Sequence, residues 1–255
     1  MRRIVNNAYM ALIYLFLYLP LAVMVIYSFN ASRLSMTWKG ATLMWYGKIF
    51  ENTPLIEAAL NSLIIATLSA TVACALGTLT AFSIHRWRYP ARKVIHATLF
   101  IMMMSPDIVI GISLLVLFMS LSLSLGFWTL LLAHVTLCVP FVAITVHARL
   151  QGFDPHLVEA ARDLGAGEYE VFRHIVLPMI RPAVMAGWFM SFTLSLDDVI
   201  ISFFTTGPTF EVLPLRIYSM VRLGIKPEIN ALCAVMVIIT AVAVVLSQRL
   251  LKERT

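Results

Sequence analysis

The sequence predicts an all-α membrane protein with six transmembrane helices. Of the 255 residues, 60% are hydrophobic and only 13% charged, where a soluble domain carries about 25% charged residues. Six apolar stretches, roughly 8–29, 58–84, 97–125, 127–146, 182–204 and 229–248, each approach or exceed the length of about 20 residues that crosses the hydrocarbon core. The basic residues are also placed asymmetrically. With the N-terminus in the cytoplasm, Arg2, Arg3, Arg86, Arg88, Arg92, Lys93, Arg149, Arg162, Arg173, Arg181, Arg249, Lys252 and Arg254 fall inside, against Arg33, Lys39, Lys48, Arg216, Arg222 and Lys226 outside. That bias of 13 to 6 sets the orientation, with both termini cytoplasmic. It also argues that the net charge of +6 serves membrane topology rather than nucleic-acid binding.

Arg2-Arg3 before an apolar run resembles a signal peptide, but no small-residue cleavage site follows at 27–30, so the run reads as a retained first span. The outer segment 30–57 carries Trp38, Trp45, Tyr46 and Phe50, which predicts a helix at the outer interface. The link 85–93, HRWRYPARK, is a short basic inner turn. Spans three and four are joined briefly, with Trp128 at the outer boundary. After span five, Gly207-Pro208 signals a turn. Leu213, Ile217, Met220 and Val221 then give one face of a short amphipathic helix. Cys74, Cys138 and Cys233 all fall in expected spans, with spacing that suits neither zinc nor a disulfide framework, and read as packing residues. The chain reads as a single membrane domain, 1–255.

A polar island, DPHLVEAARDLGAGEYEVFRHIVLP at 154–178, interrupts the apolar pattern on the inner side. Asp154-Pro155 is a helix start. Leu157, Ala160, Ala161 and Leu164 then recur at helical spacing as one apolar face. Gly165 and Gly167 let the chain turn. A second short helix is expected over about 168–176, with Glu168 and Glu170 at its positive end and Pro178 near its close. Two short amphipathic helices on a membrane surface suit insertion into a groove on a partner, although a plain connector between spans has the same pattern.

Three acids fall inside expected spans: Asp107, Asp197 and Asp198. An ionised carboxylate facing lipid costs several kcal/mol, so such residues mark a functional path by default. At about 1.5 Å per residue, Asp107 stands roughly 20 Å from Val94 and Asp197 roughly 22 Å from Pro182, a similar layer. Pro106 is expected to kink or unwind the helix beside Asp107. Carboxylates at one depth stabilise a cation, and a polyamine, with ammonium groups spaced by methylenes, suits them. Trp45 and Tyr46, with Phe210 and Tyr218, offer aromatic faces to such a chain, and Glu211 offers an acceptor at the outer mouth. Structural readings stand beside these. Asp107 can cap a helix; Asp197 and Asp198 point about 100° apart on a helix, so one of them can pack against a neighbour. A lone His134 near this layer is more often a hydrogen-bonded packing residue.

Glu159, Ala160, Ala161 and Gly165, followed by Ile175, Leu177 and Pro178, resemble the EAA loop of importer-type ABC permeases. The motifs MMSPDIV at 103–109, SFTLSLDDV at 191–199 and TGPTFEVLPLRIYSMV at 206–221 resemble the polyamine (spermidine/putrescine) ABC transporter permeases, essentially over the full length. The resemblance implies an importer-type ABC permease half-channel in a bacterial inner membrane. It implies pairing with a homologous second permease subunit, two ABC ATPase subunits and a periplasmic polyamine-binding protein. It carries Trp45, Asp107, Asp197 and Asp198 as substrate-path residues. It also carries the loop 152–178 as the ATPase-coupling element, with Glu159, Ala160, Ala161, Gly165 and Glu168. No Walker phosphate loop, catalytic nucleophile–base set or metal cluster is evident. The expectation is therefore no enzyme and no cofactor on this chain, ATP being used by the partner. A proton-coupled secondary transporter of small organic cations, an importer of iron or another small cation, and a membrane-embedded enzyme or scaffold are the competing readings.

Overall fold

The computed structural model describes residues 2–32, 37–152, 154, 156–222 and 228–238. Pro155, the expected sixth span beyond Ile238, and the basic residues Arg33, Lys226, Arg249, Lys252 and Arg254 lie outside the described residues. Apart from two isolated β-bridges, every regular element described is a helix. The chain divides into two compact units, one of residues 1–57 and 216–255 and one of residues 58–215.

In the first unit, α1 (Arg2–Ser28) matches the first expected span, and its apolar side chains from Tyr9 to Ile26 are exposed, as a bilayer-facing helix requires. Asn30 then organises the following segment. Its side chain is fully buried, accepts the backbone N–H of Ser32 and of Lys39, and donates to the Thr37 carbonyl. Asn30 also pairs with Ala41 in an isolated bridge. The expected outer helix exists as α2 (Met44–Glu51). Asn52 follows it, accepting the Leu55 N–H at the start of α3 (Thr53–Arg86) and donating to Glu228 at 2.7 Å.

The second unit is built on α6 (Phe127–Gln151), which is largely buried and packs along α9 (Leu177–Asp197). The α3 segment beyond Ala58 completes this core. A Cβ on Gly77 would stand 2.7 Å from Val142 Cβ, so only glycine allows α3 to approach α6 this closely. Cys74 Sγ donates to the Val184 carbonyl and Cys138 Sγ to that of Ser191, and all three cysteines are free, as packing residues should be.

Among the described residues four helices are long and apolar enough to cross a membrane, Tyr9–Ser28, Thr53–Arg86, Phe127–Gln151 and Glu168–Asp197, and a fifth span is present if one bent pair counts. That pair is α4 (Arg92–Met104) and α5 (Asp107–Ser120), which meet at 113°. The span expected over 97–125 is bent at the proline expected to kink or unwind it. Pro106 has no N–H to donate, and it drives Ser105 into extended backbone at φ −72°, ψ 137°. The span expected over 182–204 also differs. It ends at Asp197, where Asp198 is extended, and resumes as α10 (Ile200–Thr205).

The polar island differs in two respects from the sequence reading. Its first helix, α7 (His156–Asp163), turns Val158 and Ala161 toward the core and leaves Leu157, Ala160 and Leu164 exposed, so the apolar residues divide between two faces. The separate second helix is absent. Instead, α8 (Glu168–Val171) runs through a π-helical turn (Phe172–Val176) directly into α9. Pro178 explains the wide turn: its ring would clash with the His174 carbonyl in a regular α-helix. Beyond Gly207, whose bridge to Phe210 forms the expected turn, α11 (Leu213–Arg222) buries Leu213 and Leu215, holds Ile217 and Met220 half-buried and leaves Val221 exposed. A short apolar helix, α12 (Glu228–Ile238), closes the described chain.

Candidate functional site

Two helix breaks carry the intramembrane acids. Asp107 is the first residue of α5 after the Pro106 bend, and Asp197 is the last residue of α9 before the second break. The helix that follows one break packs on the helix that follows the other: a Cβ on Gly111 of α5 would meet the Phe204 ring of α10 at 2.8 Å. Asp107 and Asp198 both lie near enough to Asp197 for their charges to act on it. Broken helices at membrane depth are tolerated where the freed backbone faces protein or a cavity.

The adjacent aspartates have different surroundings. Asp197 is exposed and Asp198 is 9% exposed. Asp198 accepts the backbone N–H of Ile201 at 3.2 Å and of Ser202 at 2.7 Å, satisfying two donors that the start of α10 would otherwise leave orphaned. Asp107 is exposed, in the favourable first turn of α5, where no side chain caps the helix.

Behind Asp198 lies a buried polar chain. His134 Nδ1 stands 2.6 Å from Ser195 Oγ, and its Nε2 stands 3.0 Å from Ser202 Oγ and 3.6 Å from Asp198 Oδ2. Ser195 in turn accepts the Ser69 hydroxyl at 3.0 Å, so α3, α6, α9 and α10 are tied by one network. His134 is 1% exposed and fills both ring nitrogens within the chain, which makes it a packed, hydrogen-bonded residue. Sequence reading named His134 but not Ser69, Ser195 or Ser202, nor Asn30. Isolated serines in an apolar run carry no periodic signal that separates a network member from a helix-packing residue.

The aromatic candidates are engaged within the chain. The Trp45 ring is buried, its indole N–H donates to the Asn30 carbonyl at 2.8 Å, and the Lys48 ammonium sits 4.9 Å from the ring centre. The Tyr46 hydroxyl meets Ser28 Oγ at 2.7 Å, with Phe29 against its ring. Glu211 is half-buried, and its carbonyl accepts the Asn61 amide at 3.0 Å. Phe210 packs on Phe127, and Arg222 covers Tyr218.

The 154–178 loop forms a second surface. Asp154 accepts the His156 N–H, as a helix start requires. α7 ends in a two-bond cap, Ala166 N–H to Ala161 O and Gly165 N–H to Arg162 O, with Gly165 at φ +87°. That left-handed conformation is the one glycine adopts without penalty. Gly167 is extended and accommodates the turn without a positive φ. Glu168 accepts Arg86 at 3.1 Å and also pairs with Arg162, so it joins the loop to the end of α3. Glu159 remains exposed, touching only His156 among described ionic partners. It borders a cleft of about 250 Å³ with Arg86, Val158 and Arg162. Leu164 at the tip is 90% exposed.

The fold and these two surfaces define a membrane permease of the binding-protein-dependent type. Residues 73–255 match the family described as "Binding-protein-dependent transport system inner membrane component", and the chain belongs to that family. It is 48% identical over 253 residues to the spermidine/putrescine transport system permease protein PotC of Escherichia coli strain K12, covering 99% of this chain and 96% of that protein. The match to PotC of Haemophilus influenzae is also 48%, over 252 residues, covering 99% of this chain and 98% of that protein. The putrescine transport system permease protein PotI of Escherichia coli strain K12 is 42% identical over 238 residues, covering 90% of this chain and 84% of that protein. Among solved structures, a bacterial ABC transporter involved in the import of alginate superposes with a TM-score of 0.78 at 15% identity, covering 96% of this chain and 95% of that one. The inward-facing MetNI methionine ABC transporter superposes at 0.65 with 16% identity, covering 79% of this chain and 96% of that one.

Proposed function

We infer that this chain is a permease subunit of an ATP-driven ABC importer that carries the polyamines spermidine and putrescine into the cytoplasm. Near full-length similarity to permeases named for spermidine/putrescine transport, at 48% identity, carries this reading. The whole chain acts as one transmembrane permease domain of six helices, a half-channel in a bacterial inner membrane with both termini cytoplasmic. It pairs with a homologous second permease subunit and two ABC ATPase subunits, and a periplasmic polyamine-binding protein delivers the substrate. The chain is no enzyme in its own right and binds no cofactor or metal; ATP is used by the partner ATPase.

Asp107, Asp197 and Asp198 form the charged part of the substrate path. Exposed carboxylates at two helix breaks support this, because each can meet an ammonium group without crossing apolar packing. Asp198 acts from behind, holding the break that presents Asp197. Trp45, Tyr46 and Glu211 belong to the outer part of the path; the Lys48 ammonium near the Trp45 ring supports that ring as a cation acceptor. Glu159, Ala160, Ala161, Gly165 and Glu168 couple the chain to the ATPase through the loop 152–178, and the exposed Leu157–Ala160–Leu164 face supports docking into a groove.

The test is uptake of labelled spermidine and putrescine by vesicles that hold the complete assembly. ATP-dependent uptake that stops when ATP is withdrawn is expected. Uptake that persists without ATP while a proton gradient is intact would instead establish the proton-coupled secondary transporter, against which the exposed docking loop argues.

A further inference from the structure

Where α3 and α6 end and α4 begins, remote from the intramembrane acids, basic side chains gather around a cavity outside the proposed substrate path. Its volume is about 480 Å³, and Arg92, Lys93 and His96 of α4 line it together with His147 and Gln151 of α6. The His147 ring is 5.5 Å from that of His96 and 6.4 Å from that of His85 on α3. No carboxylate is among the lining residues. Among the described residues neither Arg92 nor Lys93 forms an ion pair, in contrast to Arg86 and Arg162, which both meet Glu168.

His147 adds an independent observation. It is 9% exposed and lines the cavity. Its Nε2 meets the Gln151 amide at 3.4 Å. The Ala81 backbone is near the ring, but Nδ1 has no partner within hydrogen-bond geometry. Two cations without an ion-pair partner, set beside two imidazoles in a lining that holds no carboxylate, call for an anion. The same helix also presents apolar surface, with the Phe100 ring 5.0 Å from that of His96. Val94 and Ile101 of α4, one above the other at a spacing of seven residues, are 65% and 64% exposed, with Phe100 beside them.

We propose that this cavity binds the phosphate group of an anionic phospholipid, with Arg92, Lys93, His96 and His147 around the headgroup and an acyl chain along Val94 and Ile101. Basic pockets between transmembrane helices accept anionic headgroups by charge and hydrogen bonding, and an adjoining apolar stripe selects a lipid over a free anion. The site belongs to the bilayer face of the chain and does not depend on the identity of the transported substrate.

Native mass spectrometry of the full-length chain in its purified assembly tests this, after exchange with phosphatidylglycerol or with phosphatidylcholine. Wild type retains phosphatidylglycerol in preference to phosphatidylcholine. The double variant Arg92→Gln/Lys93→Gln lowers the retained phosphatidylglycerol about tenfold. The milder His96→Gln lowers it in the same direction and guards against loss of folding. Arg173→Gln/Arg181→Gln, which removes the same charge from exposed positions elsewhere, leaves it unchanged. Equal retention by wild type and Arg92→Gln/Lys93→Gln, or an equal loss in the Arg173/Arg181 control, overturns the site. Displacement of the lipid by millimolar inorganic phosphate, with the same dependence on Arg92 and Lys93, assigns a free-anion site and overturns the lipid. Polyamine uptake is not read in this experiment, so its outcome is separate from that of the transport assignment.

Discussion

Asp198 Oδ2 accepts the backbone N–H of Ser202 at 2.7 Å, and this single bond separates the roles of two adjacent acids. The second aspartate is committed to a helix start inside the protein. The first, Asp197, is left exposed at the end of α9. On the proposed substrate path a cation meets Asp197 and Asp107, while Asp198 holds the start of α10 in place.

Asp198→Ala should behave as a stability mutation. It removes a carboxylate that serves two backbone donors and leaves those donors buried, a loss of about 1–3 kcal/mol. Thermal melting of the purified assembly should show it as a lowered midpoint. Asp197→Asn should leave the midpoint where it is, because that side chain is exposed. A drop of similar size for both variants would remove the distinction.

His134→Leu tests the network behind the break. The substitution leaves Ser195 and Ser202 hydroxyls without their imidazole partner in a buried place, a cost of about 1–3 kcal/mol per unsatisfied group. Ser69→Ala, which removes the far end of the same chain of bonds, should cost less, because Ser195 keeps His134. A His134→Leu protein as stable as wild type would show that the network is dispensable.

Gly77→Ala probes the closest helix approach. The added methyl would stand 2.7 Å from Val142 Cβ, so α3 and α6 must separate. Overpacking of this kind costs about 1–3 kcal/mol. Lowered thermal stability with an unchanged substrate preference is expected. Unchanged stability would mean that the interface yields more easily than its packing indicates.

Leu164→Asp and Glu159→Lys separate docking from folding. Both positions are exposed, so the chain should insert and melt as wild type. Loss of one well-placed apolar anchor at an interface lowers retention of the ATPase about tenfold or more in copurification. Glu159→Lys should abolish substrate-stimulated ATP hydrolysis while docking of the delivery protein persists. Wild-type stimulation in that variant would remove Glu159 from the coupling role.

The membrane class, four of the spans and the loop turn at Gly165 were legible because each rests on a local rule: a run of apolar residues, or a glycine where φ is positive. The bend at Pro106 was legible as a chemical necessity, but not its angle of 113°, which depends on packing of α5 against α10. The break at Asp198 was not legible. Residues 191–199 read as continuous helix, and only the side-chain carboxylate folding forward onto Ile201 and Ser202 ends it. For the same reason the sequence implied that one of the two aspartates packs inward but not which; the structure buries Asp198 and exposes Asp197. The merging of the loop's second helix into α9 follows from a π turn that Pro178 permits, and hydrophobic periodicity does not register a change of helical pitch over five residues. The serines of the His134 network lie far apart in sequence, at 69, 195 and 202, and only the tertiary fold brings them together.

The most direct test of the central claim is ATP-driven uptake of labelled spermidine, over a range of concentrations, by vesicles holding the assembly with Asp107→Asn, with Asp197→Asn, or with both. Asp→Asn is nearly isosteric, so it removes charge and keeps volume. Loss of one charge-assisted hydrogen bond lowers apparent affinity about ten- to a hundredfold. Each single variant is expected to show a loss in that range, and the double variant a larger one, with expression and assembly as in wild type. Wild-type uptake by the double variant at every concentration would contradict the account and make both carboxylates structural.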